Sequence, residues 1–435
     1  MSRIKPSTNR RDRDTSSATA VACVLLALLI AGCGGGDSTQ GESDTAEDAT
    51  TPRGEDVDWA DVPLLPLDGC PTWKGTIELD GGAVDPAIIN HCVIQGDVYV
   101  TGEEVDTDKL AVLRNVHRIQ GGLFISDSLV GDLAHLKRLE QIDADLVIDN
   151  NRALITTEGL ESLKHVGHDL VVRRNDAMRR LALPALKKVQ HGVLIADHLA
   201  LEDIAGLSAL EAVEHSVVLR ANRKLVALSG LDSLVDAGSE GLTLDDNHAL
   251  NDLKALSKLQ RSGKALVITN HFSLETIKGF GELAEADSVL IEGNRSVTDI
   301  NGFSKLNVVE QVKILDNDKL ARVHGFAQVK ALKLLEVSDN EAMAKFSGFG
   351  NCGSTEHFKV TDNPSLTELK LALLQKTQTL TLHNNATLGT FAGLFPLKYI
   401  DVFSVCDNPN LPPAKVETFL KQLWKEPKSI DACDG

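Results

Sequence analysis

Three histidines recur at nearly one interval: His168, His191 and His215. Each stands two residues before the first apolar residue of a short Leu/Val run (Leu170, Val193, Val217). If those runs are neighbouring strands, about 4.8 Å apart, the three imidazoles form a column. Imidazole nitrogens bind metals and titrate near neutrality. A solvated row of rings with no role is the more economical reading, and no metal is expected. Oxygen-rich clusters recur as well: Asp149-Asn150-Asn151, Asp245-Asp246-Asn247, Asp316-Asn317-Asp318 and Asp362-Asn363. Calcium favours such oxygens, but Asp and Asn are also turn formers, and turn chemistry is the expectation here. No phosphate loop, Gly-x-Ser-x-Gly or His-Glu-x-x-His occurs, and no acid pair stands in a loop outside the repeat. No catalytic residue, no cofactor and no enzymatic activity are therefore expected.

These residues fall within a unit that repeats about every 23 positions from residue 93, as in 145–166 (DLVIDNNRALITTEGLESLKHV) and 288–309 (SVLIEGNRSVTDINGFSKLNVV). A fixed period of this length is the mark of a solenoid. Leu-x-Val with β-branched residues at period two predicts a short strand. The Asn that follows (Asn151, Asn175, Asn222, Asn247, Asn294, Asn317, Asn340, Asn363, Asn385, Asn408) predicts a turn and, stacked coil on coil, an internal ladder. His198, His271 and Ser128 take that slot in three coils. Gly-Leu or Gly-Phe marks the next corner, from Gly159-Leu160 to Gly393-Leu394, and Leu-x-x-Val packs the return path. The fold class expected is an α/β repeat solenoid, predominantly β and right-handed, with one long parallel sheet and capped ends.

The repeat resembles the receptor L domain, the leucine-rich, β-helix-like module of growth-factor-receptor ectodomains, over residues 93–411. Internalin-type leucine-rich repeats are a neighbouring match, but the lead-in Gly96-Asp97-Val98 is more similar to the L domain. The resemblance implies recognition, with the ligand met on the outer face of the sheet. The middle residue of each Leu-x-Val points outward. Tyr99, Phe124, Val147, Val171, Leu194, Val218, Thr243, Val267 and Leu290 are apolar or nearly so. Lys313, Glu336, Lys359, Thr381 and Ser404 follow as a polar continuation. A stripe of nine strands would run on the order of 40 Å, and a contiguous apolar stripe marks an interface. Against this stands β-propensity, which places such residues in strands anyway. The expected partner-binding residues are Tyr99, Phe124, Val147, Val171, Leu194, Val218, Val267 and Leu290. Whether the ligand is protein or carbohydrate stays open, and a purely structural envelope scaffold is the alternative role.

The two ends carry their own signals. Residues 1–20 are basic and 21–32 are a short apolar run, too short to span a bilayer. The run ends in Ile30-Ala31-Gly32-Cys33, which resembles the lipobox of bacterial lipoproteins. That resemblance implies cleavage before Cys33, lipidation of its thiol, and, with Gly34 rather than Asp following, the outer membrane. Residues 33–62 are acidic and Gly/Ser/Thr-rich, with no apolar pattern, and are expected to be a flexible tether. Residues 63–92 are expected to form an N-terminal cap and 412–435 a helical C-terminal cap, with Val416, Phe419, Leu420 and Leu423 on its apolar face. Five thiols remain in an exported body: Cys70, Cys92, Cys352, Cys406 and Cys433. Two bridges among five allow fifteen arrangements. Cys70–Cys92 and Cys406–Cys433, each closing a lid, are the expected pair, with Cys352 left over. The formal net charge is −18, and removing residues 1–32, with five bases against two acids, leaves −21. Such a surface disfavours nucleic acid or an anionic bilayer as a partner.

Overall fold

The computed structural model describes residues 64–66 and 68–432. The signal segment 1–32, Cys33, the tether 33–62 and Cys433 lie outside the described residues. What repeats in the sequence repeats in space: sixteen strands, from Ile77–Leu79 to Ser429–Asp431, line up in chain order as one parallel sheet. In every strand but the last, Ser429–Asp431, the residues flanking the outward one are core. Leu170 and Val172, on either side of Val171, are both 0% exposed. A single coil, residues 170–189, buries Leu170, Val172, Met178, Leu181, Leu183, Leu186 and Val189 completely. Each such side chain contributes about 1.5–3 kcal/mol of transfer free energy. The core continues without interruption from Ile77 to Phe419.

The expected long parallel sheet is joined by two further faces of short strands. A second face carries a seven-stranded parallel sheet of two- and three-residue strands, from Thr72–Lys74 to Ala212–Val213. Isolated bridges extend it through Asp236, Arg261 and Glu285 to Val308. Beyond that point the second face merges into the long sheet, whose strands lengthen to eight residues: Ala331–Ser338, Ser354–Thr361, Lys376–His383 and Tyr399–Cys406. A third face holds the pair Arg180–Ala182 and Asp203–Gly206 and five further strands from Thr276–Ile277 to Glu368–Leu369. The return path is thus mostly β. Among the described residues the helices are short 3-10 turns and the α-helix Pro413–Leu420. The α part of the expected α/β class is therefore slight, because a coil of about 23 residues already divides into three extended sides. Among the described residues no helix is long and apolar enough to cross a membrane.

Three devices turn the corners. The residue before each ladder slot adopts a left-handed backbone, with φ 69° at Gly293 and between 52° and 60° at Asp127, Asn150, Arg174, Asp197, Ala221, Asp246, Asn270, Asp316, Asp339, Asp362, Asn384 and Asp407. Asp and Asn tolerate that region better than other non-glycine residues, which accounts for most of the Asp-Asn clusters. The Asn itself turns inward. Asn317 donates from Nδ2 to Ile291 O (3.1 Å) and Leu315 O (2.8 Å), and its Oδ1 accepts from Asn294 N (3.2 Å). The third device is the Gly corner. Gly159 has φ +114°, and a Cβ there would overlap Leu133 O of the preceding coil. The aromatic that follows several of these glycines builds a core stack, Phe280–Phe303–Phe326–Phe349, with centroids 5.3, 4.7 and 4.6 Å apart.

The ends also differ from simple lids. Residues 63–92 contain a coil of the solenoid. Thr72–Lys74 pairs with Val93–Gln95, and Ile77–Leu79 pairs with Val98–Val100. The coil escaped the repeat pattern because Ile77-Glu78-Leu79 is followed by no Asn. Cys70 and Cys92 are disulfide-bonded across it, with Cα atoms 5.7 Å apart. At the other end Phe419 is buried against Phe391 (4.3 Å between centroids) and Phe403 (5.8 Å). Val416, Leu420 and Leu423 pack partly against the same core. The chain then adds the strand Ser429–Asp431 to the long sheet. Cys406 is disulfide-bonded, and Cys433, its expected partner, lies outside the described residues. Cys352 is free and buried, and burial pushes its thiol up to about 11.

Candidate binding face and histidine column

The outward residues of the long sheet fall into one register row. Tyr99 pairs with Phe124, Phe124 with Val147, Val147 with Val171, and Val171 with Leu194. The row continues through Val218, Thr243, Val267 and Leu290 to Lys313, Glu336, Lys359, Thr381 and Ser404. Glu78 precedes Tyr99 in the same row. Tyr99 and Phe124 stack with centroids 4.8 Å apart. The residues from Tyr99 to Thr243 are half-buried, each flanked by its neighbours in the row. Val267 and Leu290 are more covered, 8% and 9% exposed, so the accessible part of the stripe ends near Thr243.

Charges border the stripe on the side where each strand ends. Asp149 is 7% exposed. It accepts from Arg173 Nε (3.0 Å), Arg174 Nε (2.8 Å) and Arg174 Nη2 (2.6 Å). Burial works to raise its pKa, but the two guanidinium groups outweigh burial and hold the carboxyl below its ordinary range. Arg220 reaches Asp197 at 3.2 Å. On the polar continuation Lys359 pairs with Glu336 at 2.7 Å.

On the side where each strand begins stands the histidine column. The His168 and His191 rings stack with centroids 4.4 Å apart and planes 4° from parallel, and His191 and His215 at 4.3 Å and 8°. Two carboxylates that the sequence reading did not connect with the histidines complete the cluster. His168 Nδ1 lies 2.6 Å from Asp145 Oδ1 and 3.3 Å from Asp169 Oδ2. His191 Nδ1 lies 2.7 Å from Asp169 Oδ1. The signal was present, since Asp145 and Asp169 both occupy the position just before a strand's first core residue. It becomes legible only once the coils are in register. The Asp-Asn clusters, by contrast, are accounted for by the left-handed turn and the ladder.

Residues 91–227 match the receptor L domain family. Over those residues the chain carries leucine-rich repeats of receptor-L-domain type. The L-domain match takes in the histidine column and the stripe from Tyr99 to Val218. No curated protein sequence matches the chain. Among solved structures it is similar to an internalin from Listeria monocytogenes str. 4b F2365, at 14% identity over 83% of this chain and 87% of that one, with a TM-score of 0.32. It is also similar to a leucine-rich repeat protein from Bacteroides thetaiotaomicron VPI-5482, at 10% identity over 78% of this chain and 52% of that one, TM-score 0.32.

Proposed function

We propose that this protein is a non-catalytic recognition protein of the bacterial cell envelope. Lipid on Cys33 anchors it, residues 33–62 tether it, and it holds a protein partner on the outer face of its long sheet. The observation that carries the reading is the register row. From Tyr99 to Thr243 seven half-buried outward residues, six of them apolar, stand in adjacent strands in one straight line. Propensity for strands acts along the whole sheet, yet the same row turns to Lys313, Glu336 and Lys359 further on. Tyr99 and Phe124 give one end of the stripe a rigid aromatic anchor of the kind that dominates interface energetics. Asp145, Asp169, Arg173 and Arg220 form the polar borders. The partner-binding residues are Tyr99, Phe124, Val147, Val171, Leu194 and Val218, with Val267 and Leu290 as a covered extension.

The test is the pair Val171→Asp and Val218→Asp in one chain. The expected result is loss of partner capture from envelope extract, with the melting temperature nearly unchanged because neither side chain is core. Unaltered capture by that variant refutes the assignment of the face. Cys33→Ser separates anchoring from recognition: it should leave the chain unprocessed or soluble while partner binding persists.

A further inference from the structure

The three stacked histidines are surplus to the fold. The position they occupy, two residues before the strand's first core residue, is Gly96, Gly121 and Ala144 in earlier coils, and Glu240, Lys264 and Asp287 in later ones. The carboxylates beside them have a structural task that needs no imidazole. Asp145 Oδ1 accepts from Asp169 N (2.9 Å), and Asp169 Oδ1 accepts from Gly192 N (2.7 Å). Asp97 does the same for Gly122 N (2.8 Å) in a coil without histidine. The fold therefore explains the aspartates and leaves the rings unexplained.

We propose that His168, Asp169 and His191, completed by Asp145, form a binding site for a divalent transition metal of the zinc class. The Asp169 carboxylate spans the two rings, with one oxygen 3.3 Å from His168 Nδ1 and the other 2.7 Å from His191 Nδ1. The donor atoms of the three residues all lie within 4.8 Å of one another. A tetrahedral ion about 2.0–2.1 Å from each ligand places its donors about 3.3 Å apart. The His168–Asp169 distance already matches, the His191–Asp169 contact opens by about 0.6 Å, and the widest pair, within 4.8 Å, closes by no more than about 1.5 Å. The rings have room for that movement: the His168 and His191 side chains are 53% and 36% exposed, whereas that of Asp169 is 10% exposed and pinned by its backbone donor. Two neutral imidazoles and two carboxylates suit zinc-class ions and balance a double positive charge. His215, stacked on His191 at 4.3 Å, is an alternative second imidazole that would let the ion move one coil along the column. This site stands beside the apolar stripe but does not depend on its being an interface.

The experiment is titration of the purified chain with Zn2+ alone, followed by calorimetry, with His168→Asn, His191→Asn and a distant exposed control, His357→Asn. One ion per chain is expected, with affinity at least tenfold weaker in each of the first two variants and unchanged in the control. No saturable binding up to millimolar Zn2+, or equal affinity in the His168→Asn/His191→Asn double variant, overturns the proposal. A second measurement needs no variant. Co2+ added to the wild-type chain should broaden the ring protons of His168, His191 and His215 in proton NMR before those of any other histidine. Broadening that begins elsewhere overturns it as well.

Discussion

His271 occupies a slot built for asparagine, and its acid sensitivity follows from that. The ring is 0% exposed, its Nδ1 is 3.1 Å from Asn247 O, and its Nε2 has no hydrogen-bond partner. Burial, only partly offset by the Asn247 carbonyl, lowers its pKa from 6.5 to about 4. Between those values the unfolded chain takes up a proton that the folded chain refuses, so the stabilisation present above pH 6.5 is lost as pH falls towards 4. At about 1.4 kcal/mol for each pH unit, the loss reaches roughly 3 kcal/mol by pH 4. In His271→Asn the amide restores the ladder and this titration disappears. The assay is urea unfolding of the wild-type chain and His271→Asn at several values from pH 7 to pH 4, followed by circular dichroism. Carboxylates and His198, whose pKa is also lowered by burial, are common to both chains and cancel in the difference. The stability of the variant relative to the wild type should rise steadily on acidification, by roughly 3 kcal/mol. A difference that stays flat from pH 7 to pH 4 would refute the argument that burial of this ring governs its protonation.

Other expectations follow from the same corners. Asn317→Ala removes its Nδ2 bonds and strands Ile291 O and Asn294 N; at about 1–3 kcal/mol per buried orphan, a loss of about 2–6 kcal/mol should appear in urea unfolding. Ala221 holds φ 53° where most other coils have Asp or Asn, so Ala221→Asn should raise stability by about 0.5–1 kcal/mol, measured as a higher melting temperature. Cys352, buried with its thiol pushed up to about 11, should resist iodoacetamide at pH 8 in the native chain and react fully in urea, as mass spectrometry would record.

Much of this architecture is legible in the chain because a solenoid writes its contacts at a fixed interval. The Leu-x-Val register placed Val171 outward and Leu170 and Val172 inward, and the structure has them so. The ladder was legible for the same reason, since Asn at one-coil spacing has few other uses. What escaped lay where the period breaks or the signal is short. The coil around Ile77–Leu79 has no ladder Asn to announce it. The second and third faces are built from strands such as Lys188–Val189, too short to show an alternation. The carboxylates beside the histidines were hidden because Asp145 and Asp169 reach forward by one coil, 22 to 24 residues along the chain, to find their partners.

The two histidine slots also divide the ladder into blocks. From Asn294 to Asn385 every backbone N–H in the slot donates to the amide oxygen of the next coil, at 3.0–3.3 Å, with no interruption, and the run ends on Asn408 Oδ1. Amides aligned head to tail polarise one another, so this run behaves as a row of dominoes: losing one bond weakens those beside it. At His198 the acceptor is a ring nitrogen (Asn175 N to Nδ1, 3.2 Å) and His271 N opens the later run by donating to Asn294 Oδ1 (3.2 Å), so neither slot holds an amide oxygen and unravelling that starts at one end has a place to stop. Hydrogen exchange should then report discrete subglobal openings whose boundaries fall near those two rings, with residues 294–408 exchanging as a single unit.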